Sequence, residues 1–220
     1  MGTESIEASF LSIFALINFF IFLLVSKYSH KIKGGALLDK DFLKPQAFHD
    51  QPITRSGGIA AVISLSLFFI IYYLLYSKIL YDYIFISYSV FLVGFLDDLK
   101  INIKPLKRLS IMIFLLFVLI YFLPIKILNI DIPILTSLMS NHIFSSIFVL
   151  LCFLFVINGA NLIDGFNGLL TINLIIINTV LLFINLNNNE IEFSFFLTGQ
   201  VVILISFLLF NFPKAKMFLG

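Results

Sequence analysis

"IFSSIFVLLCFLFVINGANLIDGFNGLLTINLIIINTVLLFINL", Ile143 to Leu186, sets two apolar runs of membrane-spanning character on either side of a polar, glycine-rich interruption. The interruption places Asn158, Asn161, Asp164 and Asn167 three residues apart, among Gly159, Gly165 and Gly168. A spacing of three drifts by about 60° per step around a helix of 3.6 residues per turn, so Asn158 and Asn167 face opposite ways on an unbroken helix. A break near Gly165 would let them converge. Irregular backbone at membrane depth is tolerated only where protein or a water-filled cavity satisfies it, which makes the motif read as the wall of a site. A plain polar turn, with Asn and Gly as turn formers, is the alternative.

The rest of the chain fits two spans joined in this way. Of its 220 residues 60% are hydrophobic and 12% charged, and the mean hydropathy is +1.09. That leaves too little polar surface to cover a water-soluble globule. Seven apolar runs are expected to span: Ser9 to Ser26, Gly58 to Tyr76, Ile79 to Leu96, Leu109 to Leu123, Ile143 to Ile157, Leu169 to Leu186 and Phe193 to Phe210. The expected fold is an all-α polytopic transmembrane bundle, with residues 1–220 as a single integral membrane domain. Cys152 permits no internal disulfide and is expected to pack as a small apolar residue in the fifth span.

Lys and Arg accumulate on the cytoplasmic side of membrane proteins. Here Lys27, Lys31, Lys33, Lys40, Lys44 and Arg55 follow the first span, Lys100, Lys104, Lys107 and Arg108 follow the third, and Lys214 and Lys216 follow the seventh. Lys78 and Lys126 fall on the other side. The N-terminus is therefore expected outside, and the first span to be a retained anchor, because its positive charges follow it.

On this topology the polar clusters "FHDQPITRSGG", "GFLDDLKINIKPLKR", "NGANLIDGFNG" and "NFPKAKMFLG" all lie at cytoplasmic ends of spans. Asp97 and Asp98 end the third span, where helix carbonyls already favour cations. The pair asks for a compensating cation, which the nearby lysines could supply as a structural network, or a magnesium ion bridging phosphates could supply. His49 and Arg55 read either as solvated loop residues or as part of the site. His30 and His142 have no partner pattern. A secondary transporter is the main rival class, since broken helices also mark substrate pathways, but its polar groups belong near the midplane; a non-catalytic membrane protein that binds lipid phosphate or a partner enzyme is the third reading.

These four motifs, in this order, resemble those of the polyprenyl-phosphate N-acetylhexosamine-1-phosphate transferases, over about Lys44 to Gly220. "HDQPITRSGGI" looks like the family's first cytoplasmic loop, with Thr54 where many members have proline. "GFLDDL" matches its paired aspartates, and "NGANLIDGFNGL" its DGxDGL motif with Asn167 at the second aspartate. The resemblance implies transfer of N-acetylhexosamine-1-phosphate from a UDP-N-acetylhexosamine to polyprenyl (undecaprenyl) phosphate, with release of UMP, at the bacterial inner membrane and at the start of O-antigen or other cell-envelope polysaccharide synthesis. It also implies magnesium, with manganese able to stand in, the lipid bilayer as surroundings, no nucleic acid, and a homodimer.

By the same resemblance, Asp97, Asp98 and Asp164 are the catalytic acids and Asn161 the metal contact. Lys107, nine residues after Asp98, falls on the lysine that meets the pyrophosphate. Asp164 and Asn167 fall where relatives meet the nucleotide, and Arg55, His49 and Asn158 complete the substrate-binding set. The family has about ten or eleven spans, and its last motif here continues into an aspartate. The chain is accordingly read as an incomplete protein, inactive on its own. The charge asymmetry makes one direct expectation: a cysteine at Lys40 should be labelled only from the cytoplasm and one at Lys126 only from outside. Labelling of Lys40→Cys from outside would overturn the topology.

Overall fold

The structure, a computed structural model, describes residues 2–34, 37–39, 52–98, 105–123, 125, 127, 130 and 132–220. In chain order the elements are α1 (Gly2–Tyr28), a 3-10 turn (Ser29–Gly34), β1 (Leu38–Asp39), β2 (Ile53–Arg55), α2 (Gly57–Tyr76), α3 (Tyr81–Asp98) and α4 (Pro105–Phe122), then α5 (Pro133–Met139), α6 (His142–Ile163), α7 (Leu169–Asn187), α8 (Ile191–Asn211) and β3 (Met217–Phe218). Each of the seven apolar runs forms a helix, as lipid requires of backbone that has no water to bond.

Among the described residues five helices, against the seven spans expected, are long and apolar enough to cross a membrane: Ile6–Lys31, Gly57–Tyr76, His142–Ile163, Leu169–Asn187 and Ile191–Asn211. Tyr81–Leu96 is a shorter apolar helix. The chain is thus an all-α, multi-pass membrane protein. Other details differ from the sequence expectation, the short strands β1 to β3 among them. A short extra helix, α5, opens at Pro133, whose fixed φ and missing N–H suit a first helical position. Cys152 is exposed on α6 rather than packed inside.

The chain divides into two compact units, Met1–Ile79 with Leu162–Gly220, and Leu80–Asn161. In the first, α1 and α2 run antiparallel. The Tyr76 hydroxyl donates to Glu7 at 2.8 Å near one end, and the Phe14 and Phe68 rings meet at 5.2 Å two turns further on. α8 is the most enclosed of the spans. Asn18 of α1, fully buried, donates its amide to Ser206 Oγ at 2.8 Å and to the Val202 carbonyl at 3.1 Å. Lys78 pairs with Glu192 at 2.5 Å, tying the end of α2 to the start of α8. In the second unit, Val93 of α3, Met112, Leu116 and Ile120 of α4, and Val149 and Leu150 of α6 form one core.

Gly199 shows how tightly α2 and α8 pack. A Cβ there would lie 2.2 Å from the ring of Phe68, and that ring is fully buried and stacked on Phe195 at 5.5 Å. Gly199→Val should therefore destabilise the protein by about 1–3 kcal/mol through overpacking, read as a lower midpoint of thermal unfolding in detergent. An unchanged midpoint would show that the two helices can separate without cost.

Candidate functional site

The polar interruption at the end of α6 is a true helix break. α6 stops at Ile163, α7 starts at Leu169, and the five residues between form turns. Gly168 takes φ +78°, and a Cβ on it would lie 2.9 Å from the Phe212 ring, so backbone conformation and space both call for glycine. Its N–H donates to Asn211 Oδ1 at 2.6 Å.

Asn211, the last residue of α8, is the hub of the hydrogen bonding at this end of the helix. It is only 2% exposed, and its Nδ2 donates to the Met217 carbonyl at 2.9 Å. The chain beyond it curls back: the Lys216 N–H reaches the Phe210 carbonyl at 2.8 Å, and β3 lies parallel to β2, with Thr54 opposite Met217 and Arg55 opposite Phe218. β2 pairs on its other side with β1, antiparallel. The Gly58 N–H at the start of α2 donates to the Leu219 carbonyl at 2.7 Å. A Cβ on Gly57 would lie 2.7 Å from the Phe218 carbonyl oxygen.

The broken-helix turn holds this segment from the other side. Asp164, 8% exposed, accepts the N–H groups of Leu219 at 3.0 Å and Gly220 at 3.3 Å on Oδ2. Asn167 donates to the Pro213 carbonyl at 3.2 Å. Three of the four sequence clusters, carrying Arg55, Asp164 and Asn167, therefore meet in one knot within one compact unit. Arg55 is half-buried on β2. Asn211 opens the cluster "NFPKAKMFLG", but nothing in the sequence singles it out within that cluster.

The fourth cluster belongs to the other unit. Asp98 ends α3 and is half-buried, while Lys107 is exposed in the first turn of α4. An open pocket of ≈ 440 Å³ is lined by Leu106, Arg108, Leu109 and Met112 of α4 and by Asn158 of α6. Asn158 donates to the Leu154 carbonyl one turn back, at 2.7 Å. Asn161 is exposed in the last turn of the same helix. The side chain of Asp97, and the whole of His49, lie outside the described residues. Among the described residues no three His, Cys, Asp or Glu side chains gather as a metal cage. This donor set suits magnesium only in its usual enzymatic mode, with few protein ligands and the remaining positions filled by substrate phosphates and water.

Residues 79–220 match glycosyl transferase family 4. Two curated relatives, the phospho-N-acetylmuramoyl-pentapeptide-transferases of Clostridium perfringens strain 13 / Type A and of strain ATCC 13124, are each 32% identical over 136 residues, which is 58% of this chain. The match covers 43% of the first relative and 42% of the second, so the chain spans less than half the length of either.

The knot around Asn211 makes a prediction independent of any substrate. Asn211→Leu leaves a buried N–H and a buried carbonyl without partners and should cost about 2–5 kcal/mol. The measurements are thermal unfolding and limited trypsin cleavage after Lys214 and Lys216, which should quicken. Asn173→Leu, on the exposed face of α7, should change neither. Equal behaviour of the two variants would show that the knot contributes nothing to the fold.

Proposed function

The chain belongs to glycosyl transferase family 4, and from that membership we propose that the whole protein is a membrane phosphotransferase that moves a sugar phosphate onto polyprenyl phosphate. The donor in this reading is a UDP-N-acetylhexosamine, the acceptor undecaprenyl phosphate, and the leaving group UMP. The protein would work at the cytoplasmic face of a bacterial inner membrane, at the start of a cell-envelope polysaccharide. The observation that carries the reading is the family match over residues 79–220. The names of the two relatives keep a phospho-N-acetylmuramoyl-pentapeptide as the competing transferred group.

Both reactants are anionic, so catalysis needs charge neutralisation and in-line positioning more than a strong base. The exposed ammonium of Lys107 offers a point charge for the pyrophosphate, and Arg108, lining the pocket, offers a planar fork suited to a second phosphate. In this reading Asp97 and Asp98 orient the lysine and position the attacking lipid phosphate. The family resemblance would give Asp164 and Asn167 the nucleotide to meet. Magnesium, or manganese in its place, would be held by Asn161 and the acidic pair and would neutralise charge on the pyrophosphate when bound.

The test uses membranes carrying the whole protein. UMP release from a UDP-N-acetylhexosamine should require both polyprenyl phosphate and a divalent cation. Asp98→Asn and Lys107→Gln should each lower turnover by roughly 10²–10³-fold without affecting membrane insertion. Turnover near wild type in both variants would remove these residues from the chemistry. UMP release from UDP-N-acetylmuramoyl-pentapeptide alone would replace the proposed donor.

A further inference from the structure

α1 has two faces. Phe14, Asn18 and Phe22, four residues apart, are fully buried against the rest of their unit. Ile13, Leu16, Phe20 and Leu24 are 50–65% exposed on the opposite side, and their spacing of three and four residues makes one continuous stripe. The same spacing carries the stripe onward to Lys27, and Lys31 follows in the 3-10 turn; both are exposed. Here the two ammonium groups converge on one aromatic ring. Lys27 Nζ lies 5.8 Å from the centroid of Tyr28 and Lys31 Nζ lies 5.9 Å from it, with Tyr28 itself 52% exposed.

We infer that this stripe and its cap form a binding surface for an anionic phospholipid of the surrounding bilayer, with acyl chain along the stripe and phosphate between Lys27 and Lys31. Three observations select this occupant. From Ile13 to Lys27 the helix rises about 21 Å, more than half of a hydrocarbon core of about 30 Å, so the apolar stripe is long enough to lie along one acyl chain. Tyr at the end of a span sits naturally at headgroup level. The two lysines share one side of the helix end, where their mutual repulsion is relieved by a bound anion and only partly by the ring. A second copy of the chain fits less well, because helix contacts in membranes favour small residues and this face offers Ile, Leu and Phe, ending in two like charges.

The inference stands apart from the proposed transfer reaction, since none of these residues belongs to its site. The full chain is purified in neutral detergent, exposed to mixed micelles of phosphatidylcholine and phosphatidylglycerol, and its retained lipid counted by native mass spectrometry. The wild type should retain phosphatidylglycerol in preference, and salt should release it. Lys27→Gln/Lys31→Gln should weaken retention about 30-fold, about fivefold per charge. Lys214→Gln/Lys216→Gln, the same charge loss at another exposed place, should leave it unchanged.

Equal retention of the two lipids by the wild type, equal loss in both double variants, or salt-insensitive binding would each overturn the proposal. Displacement of the lipid by millimolar inorganic phosphate would make this a free-anion site instead. Cross-linking of Phe20→Cys chains to one another in the presence of phosphatidylglycerol would make the face a protein interface. If the lysine variant fails to insert, the lipid preference and salt dependence of the wild type still decide the question.

Discussion

A polar group folded in at the end of a membrane helix has to find its partner in the protein. In this chain that constraint acts on one short segment. Residues 212–220 leave α8 with backbone that neither helix nor a long sheet can satisfy. Asn211 meets the Met217 carbonyl from within the segment's own end, and Asn167 and Asp164 supply partners from 46 to 56 residues away. With those bonds made, β3 can lie beside β2, Gly57 and Gly58 can approach it closely, and the turn between α6 and α7 has a fixed partner. Strands of two and three residues are too short to hold themselves together. Here side chains on neighbouring elements hold them.

This arrangement gives Asp164 a structural task beside the one proposed for it. The family resemblance assigns it to the nucleotide, and the geometry makes it an anchor for the amides of Leu219 and Gly220. A lost activity at Asp164 would therefore report on folding as well as on chemistry. Lys107 is different, because it is exposed in the first turn of α4 and its removal leaves no buried group unpartnered. Chemical roles in this protein are best read at the exposed cations.

The helices were legible because their signal is local. A run of Leu, Ile and Phe long enough to span has one way to satisfy its backbone in lipid, and all seven runs became helices. The break after Ile163 was legible too, since asparagine and glycine at a spacing of three do not suit an unbroken span. The parallel pairing of Thr54 with Met217 was not. Two strands this short carry no periodicity, and the residues they pair, Thr54 with Met217, lie far apart in sequence. The exposure of Cys152 was equally hidden, because on a helix that is apolar all round nothing in the sequence says which face meets lipid.

Asparagine illustrates the same limit within one residue type. Asn158, Asn173, Asn178 and Asn185 each donate to the carbonyl four residues back in their own helix, whereas Asn18 and Asn211 reach across to other elements. Nothing in the sequence separates the two groups; the presence of a facing partner does. The distinction bears on function. The long-range pair is fixed by the fold and specifies it, Asn18 by pinning α1 to α8 and Asn211 by pinning the turn. A back-bonded amide gives up one local hydrogen bond, worth about 0.5–1.5 kcal/mol net, when it turns toward a ligand, and its carbonyl keeps other donors nearby in the helix. Asn158 is the back-bonded asparagine that lines the pocket beside Arg108, so it is the amide of this set that can engage a phosphate or sugar hydroxyl there without loosening the fold.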